Sequence, residues 1–215
     1  MFTTIAWAQP AGLELNFQRV RSGDRFVSDG NTTGSPYYHD QYHKGSIYLN
    51  DKLAASNVFL KYNAYRDIFL AVTDLNTPDE LAQVVTKTQG MKVLVNKEEF
   101  ITLPSVNNRY ESQYYQVVVR GEKVTLLKKN YKLFVEGSRA TTSLTRDVPS
   151  TYSDRGDFYL LNPSGDFTEV PSSTKKVLAL FPKDKKALSA AVKKYGLNLK
   201  KDIDLIRFIG YYNRL

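Results

Sequence analysis

The segment Tyr37-Tyr38-His39-Asp40-Gln41-Tyr42-His43-Lys44-Gly45 contains both histidines of a 215-residue chain. Two imidazoles four residues apart share one face of a strand, and are also neighbours on a helix. Either arrangement lets His39 and His43 approach one metal ion, with Asp40 joining only in a turn. A tight site needs a third or fourth ligand. The chain has no cysteine and no other histidine, so further ligands would have to be Asp or Glu. The spacing therefore makes His39 and His43 weak metal candidates. It fits better two polar side chains beside Tyr37, Tyr38 and Tyr42 on a surface.

Other catalytic chemistry has less to start from. No Gly-x-Ser-x-Gly elbow, phosphate loop or His-Glu-x-x-His motif occurs. Asp67, Asp74, Glu98, Glu99, Asp154, Asp157 and Asp166 could pair in space as hydrolytic carboxylates. Their spacing singles out no pair, and ion pairing is the ordinary role of such residues. Arg155-Gly156-Asp157 is a tripeptide that adhesion receptors read, but Gly156 more simply serves a turn before a strand at 158. Arg120, Lys123, Lys128 and Lys129 lie near Tyr114, Tyr115 and Tyr131 in sequence, as in a nucleic-acid-binding sheet. A sheet with one buried face gives the same pattern.

The side chains that remain are aromatic or basic. With 15 tyrosines and 11 phenylalanines the chain favours strands, and its aromatic faces could meet sugar rings or acyl chains. The binding candidates are Tyr37, Tyr38, Tyr42, Tyr114 and Tyr115. The net charge of +8 is confined to one end. Residues 174–215 hold eleven Lys and Arg against three Asp and Glu, leaving nineteen of each sign elsewhere. Lys193, Lys194, Lys200 and Lys201 are the candidates for contact with an anionic partner.

These residues must be positioned by elements that the periodicity outlines. Short runs rich in Tyr, Phe, Val and Ile recur at 46–50, 58–65, 67–72, 91–95, 99–103, 114–120, 122–127, 131–135 and 158–161, and each is bounded by turn residues. Leu13, Leu15 and Phe17 alternate as a further short strand, and residues 25–27 suggest another. A turn at Asn96-Lys97-Glu98 and one at Gly121, with a positive φ, would close hairpins. Thr77-Pro78-Asp79-Glu80 suggests one helical turn. Residues 137–156 read mostly as a long Ser/Thr-rich loop.

The period changes after 170. Ser173-Thr174 caps a helix over 175–181 that Pro182 ends, and Asp184 caps a second. The second carries Ala187, Leu188, Ala191, Val192 and Tyr195 on its apolar face and stops at Gly196. Asn198 opens a third, with Leu199, Ile203, Ile206 and Ile209 as its stripe. The expected fold class is mainly β, of α+β type: an antiparallel sheet, sandwich or open barrel over 13–170. A short basic helical segment, 173–215, packs on it as part of a single structural unit.

The N-terminus MFTTIAWAQ contains Ala6-Trp7-Ala8 before Gln9, a small-residue pattern like an export-signal cleavage site. Residues 1–12 are read as a possible remnant of such a signal. Several pieces together resemble an uncharacterised family of exported proteins of Bacteroidota. They are Gly34-Ser35-Pro36-Tyr37 with Gly45, Leu60-Lys61-Tyr62-Asn63-Ala64-Tyr65, Tyr114-Tyr115-Gln116-Val117 with Gly121, Leu126-Leu127-Lys128-Lys129, Lys175-Lys176-Val177-Leu178 and Tyr211-Tyr212-Asn213. The resemblance implies a periplasmic or envelope location and carries no activity, cofactor or functional residue. The expectation is a non-enzymatic exported protein without a cofactor, binding an envelope protein or an anionic envelope component and not nucleic acid. A carbohydrate- or lipid-recognising β module and a carboxylate-based hydrolase are the alternatives.

Overall fold

The computed structural model describes residues 15–20, 32–105, 111–140 and 146–215. The possible signal remnant over 1–12 and the strand suggested at 25–27 lie outside the described residues. Among those described, the fold is mainly β. The strands are β1 (Phe17–Arg19), β2 (Thr32–Thr33), β3 (His43–Leu49), β4 (Lys52–Asn63), β5 (Ile68–Val72), β6 (Gln83–Val85), β7 (Met91–Val95), β8 (Glu98–Pro104), β9 (Ser112–Val119), β10 (Thr125–Val135), β11 (Ser150–Leu161) and β12 (Phe167–Glu169). They join in the order β1-β6-β5-β4-β3-β7-β8-β9-β10-β11-β12, an open sheet. Three helices follow: α1 (Thr174–Ala179), α2 (Lys185–Lys194) and α3 (Asp202–Arg214). Among the described residues no helix is long and apolar enough to cross a membrane.

Turn chemistry sets the registers. Asn50-Asp51 and Asn96-Lys97 all have φ between +48° and +64°, which makes both pairs two-residue turns of the kind that match strand twist. Leu49 therefore pairs with Lys52, and Val95 with Glu98. Glu98 belongs to the strand and not to the turn. Asn57, also left-handed, is the extra residue where β4 bulges against β3. This places residues 52–57, which carry no strong strand signal, in β4.

The chain forms two compact units that do not divide at residue 170. One runs to Tyr115 and resumes over Asn130–Gly156. The other comprises Gln116–Lys129 and Asp157–Leu215. In the first unit both faces of β4 are covered. Leu60 and Tyr62 point with Phe69 and Ala71 into a large core that also holds Met91, Val93, Phe100 and Tyr114. Lys61 lies opposite Leu70, whose side chain joins Val72, Val84, Ala82 and Tyr37 in a smaller core. One expectation fails in this unit. Residues 150–156 are strand and not loop, so Arg155-Gly156-Asp157 is extended chain within β11. Along the sheet from β1 to β8, between β9 and β10 and between β11 and β12 the pairings are antiparallel, and the two-residue β2 adds to β11 in parallel.

In the second unit the helices bury Val177, Leu178, Phe181, Leu188, Leu199, Leu205, Phe208 and Ile209 against Val124, Leu126 and Leu160. The helix starts fall near the expected caps, but Ser173 and Asp184 make no side-chain capping bond. The third helix is capped at Lys201, while Asp204 reaches back to the Asn198 amide at 3.0 Å. Tyr195 and Ile203, expected on apolar stripes, are exposed. Gly196, with φ +60°, ends α2 as expected. The Leu197 amide donates to the Val192 carbonyl and the Gly196 amide to that of Lys193, the paired bonds of a Schellman stop.

Gly121 serves a different purpose from the one its position suggests. Its φ is not in the left-handed region. A Cβ there would lie 2.1 Å from the Asn213 side chain. That side chain is pinned, because its Oδ1 accepts from the Val124 amide at 3.0 Å and its Nδ2 donates to the Val124 carbonyl at 2.9 Å. Glycine keeps the hairpin and α3 in this register. Replacing Asn213 with Ala removes both bonds and should cost about 1–3 kcal/mol in chemical denaturation. Gly121→Ala should cost a similar amount, and the double variant should fall well short of the sum, since both changes break one contact.

Candidate functional site

The aromatic and imidazole side chains of residues 37–43 are sorted onto two carboxylates. The chain enters along the end of β4, where the Ala64 amide donates to the Pro36 carbonyl and the Tyr38 amide to that of Tyr62, both at 2.9 Å. Backbone alternation then sends neighbours to opposite sides. Tyr37 joins the smaller core and Tyr38 packs on the larger one.

On one side Tyr37, Tyr42 and Lys61 converge on Asp79. The Lys61 Nζ lies 2.8 and 2.6 Å from the two carboxylate oxygens. The Tyr37 and Tyr42 hydroxyls each donate to one of those oxygens at 3.0 Å. The ammonium also sits 4.2 Å from the centroid of the Tyr37 ring and 4.4 Å from that of Tyr42. Lys61 is only 6% exposed, so a caged cation is held by two π faces and a bidentate acid. Asp79 lies in the single 3-10 turn Asp79–Leu81, where Pro78 is the cap and not the first helical residue. Burial alone would raise the Asp79 carboxyl, but the hydrogen bonds and charge of Lys61 and the two phenols outweigh it and hold it below 3.8. Burial first, and then the negative charge of Asp79, pushes both phenols well above 10.0.

On the other side Glu98 accepts from the Tyr38 hydroxyl at 3.1 Å and faces the His39 Nε2 at 2.9 Å. A carboxylate can only accept, so Nε2 carries its hydrogen there and offers no lone pair to a metal. The His39 and His43 rings meet edge-on, 5.4 Å between centroids. The cleft between them, lined also by Gln41, Leu60 and Tyr62, has about 10 Å³ of free space, enough for one water. Among the described residues no three His, Asp or Glu side chains are placed to hold a metal ion. Asp40 turns instead to the Ser35 hydroxyl.

A third carboxylate anchors the large core. Asp67, in a left-handed turn, accepts from the Tyr62 hydroxyl at 2.5 Å and from the Lys87 Nζ at 2.6 Å. The Tyr114 amide lies 3.3 Å from Asp67 Oδ2. Tyr114 and Tyr115 are each 1% exposed. Their neighbourhood is interior, and they cannot present a binding face. Lys193, Lys194, Lys200 and Lys201 are all exposed.

Sequence reasoning missed the exposed aromatic group, because its members lie far apart in the chain. Tyr65 lies 6.2 Å from Phe134 and 5.4 Å from Tyr152, and Phe134 lies 4.7 Å from Tyr152, between ring centroids. Tyr65 is exposed, the other two are half-buried, and the Arg66 guanidinium stands 5.5 Å from the Tyr65 ring. Beside it, Leu133 and Val135 are exposed on the alternate face of β10. Val148 is exposed where it bridges Ser138. The chain matches no protein-family model, no curated protein and no solved structure.

Two measurements follow from these clusters. Asp79→Asn strands a buried ammonium and should cost about 2–4 kcal/mol, less than a fully buried pair because Asp79 keeps some solvent. Adding Lys61→Met should recover part of that loss. The pH profile has opposite slopes at its ends. Asp79 titrates below its usual 3.8 in the native state, so its contribution is present above that value and lost as acid protonates it. Tyr37, Tyr42, Tyr62 and Tyr114 titrate above 10.0, so their contribution is full below pH 10 and lost as the pH rises beyond it. Ultraviolet titration of the native protein through pH 10–11 should show these phenols still protonated, with ionisation completed only on unfolding.

Proposed function

We propose that the protein is a non-enzymatic binding protein, exported and acting as an adaptor or structural component of the cell envelope. One observation carries the binding part of this reading. Three carboxylates of the first unit that could do chemistry are engaged by neighbouring side chains, while apolar side chains of the same unit are left outward. Asp67, Asp79 and Glu98 are held by Lys87, Lys61 and His39 and by tyrosine hydroxyls. Leu133 and Val135, by contrast, are about half exposed, two residues apart on one face of the end of β10. Exposed apolar side chains next to one another on one strand face are the kind of surface that protein partners bury. The envelope part rests on the signal-like N-terminus and the family likeness.

The Tyr65–Phe134–Tyr152 group supports a second reading, a carbohydrate-recognising module, because clustered aromatic rings of mixed exposure can accept the apolar faces of sugars. Crosslinking and affinity capture of the tagged full-length protein from envelope and soluble fractions separates the two. A stoichiometric envelope partner that is lost in Leu133→Lys, Val135→Lys protein supports the adaptor. Recovery without a partner, combined with glycan-array binding that disappears in Tyr65→Ala, Tyr152→Ala protein, replaces it with the sugar-binding reading. Recovery from the cytoplasm alone removes the envelope assignment.

A further inference from the structure

The turn between α2 and α3 combines three properties. The first is uncompensated charge. Lys193, Lys194, Lys200 and Lys201 are exposed, and no acidic residue occurs between Asp184 and Asp202. The acids at its α3 end are already engaged. Asp202 is taken by Lys128 at 2.8 Å, and Asp204 by the Asn198 amide and, more distantly, Arg207. The second is exposed apolar surface within the same stretch. Tyr195 is 57% exposed and Ile203 54%, although helical periodicity assigns both to buried stripes. The third is rigidity. The Schellman bonds at Gly196 fix the end of α2, and the Asn198 side chain accepts from the Lys200 amide at 3.2 Å, so the lysines are presented on a built turn.

We infer that this turn is a docking surface for the anionic face of a phospholipid bilayer, with the four lysines on headgroup phosphates and Tyr195 and Ile203 seated at the interface. Charge complementarity requires an anionic occupant. The apolar pair decides which one. Tyrosine and isoleucine gain by entering the boundary between headgroups and acyl chains, whereas a nucleic-acid backbone or a sulfated glycan offers isoleucine nothing comparable. The cations agree: nine of the eleven in residues 174–215 are lysine, suited to diffuse attraction by a charged surface and less to the forked recognition of single phosphates by arginine. The binding is peripheral, since α2 and α3 are 10 and 13 residues long and their apolar faces are already buried in their own unit. The inference is independent of the protein-partner reading, which concerns residues of the other unit.

Co-sedimentation of the full-length protein with vesicles tests it. Vesicles of phosphatidylcholine with equal phosphatidylglycerol should bind the protein, vesicles of phosphatidylcholine alone should not, and added salt should weaken the binding. Reversing Lys193, Lys194, Lys200 and Lys201 to Glu should lower the partition coefficient by about 100-fold or more. Reversing the equally exposed Lys52, Lys97, Arg139 and Arg146 should leave it nearly unchanged, with circular dichroism confirming that each variant is folded. Tyr195→Ser with Ile203→Ser should weaken vesicle binding while sparing retention on heparin. The inference is overturned if the wild-type protein ignores anionic vesicles, or if the two sets of reversals act equally. It is also overturned if the apolar pair proves irrelevant while heparin or nucleic acid binds as well as the vesicles, because the site then serves a polyanion in solution.

Discussion

Lys61 and Tyr62 are neighbours on β4, and strand geometry sends them to opposite faces of the sheet. Each then needs a partner where water is scarce, and each finds a carboxylate from a turn: Asp79 for the ammonium, Asp67 for the phenol. Much of the first unit can be understood from this constraint. An ammonium that is 6% exposed cannot be left uncompensated, so the 3-10 turn carrying Asp79 is tied to the sheet, and Tyr37 and Tyr42 close the remaining sides. The Tyr62 hydroxyl similarly positions Asp67, which in turn meets Lys87 and the Tyr114 amide.

This arrangement explains why a tyrosine- and histidine-rich segment with the look of a reactive site works as a clasp. Residues 37–43 thread the end of β4 and deliver alternate side chains to the two faces. The acids they meet are then occupied. Asp79 is shared among a lysine and two phenols, and Glu98 between a phenol and an imidazole. Burial raises the phenols and cationic company lowers Asp79, so every shift favours the form already present at neutral pH. Here the pKa shifts stabilise the fold.

The second unit solves a different problem with the same economy of polar groups. Its three helices bury a shared apolar core and leave all the excess charge outside. Asn213 satisfies both backbone groups of Val124, and Gly121 exists to leave room for it. Where α2 turns into α3, backbone bonds hold the chain, and the Lys194 ammonium stands 5.3 Å from the Tyr195 ring. The four lysines, Tyr195 and Ile203 remain exposed.

Local signals in the sequence determined the elements. Turn residues at 96–97, β-branched and aromatic runs, and a shift to helical period after 170 are all short-range properties, and they brought out the mainly β class, the hairpins at 96–97 and 121 and three helices. The separation of charge was equally legible, because it depends on composition alone. Long-range pairing was not. Nothing local marks Asp79 as the partner of Lys61 across 18 residues, Glu98 as that of His39 across 59, or Asn213 as that of Val124 across 89. The same gap left the buried Tyr114 and Tyr115 among the binding candidates, left 150–156 as loop, and hid the Tyr65–Phe134–Tyr152 group. Periodicity tells a side chain which face of its own element it occupies. Only the tertiary structure decides what lies against that face, because burial belongs to the packed sheet and not to the strand.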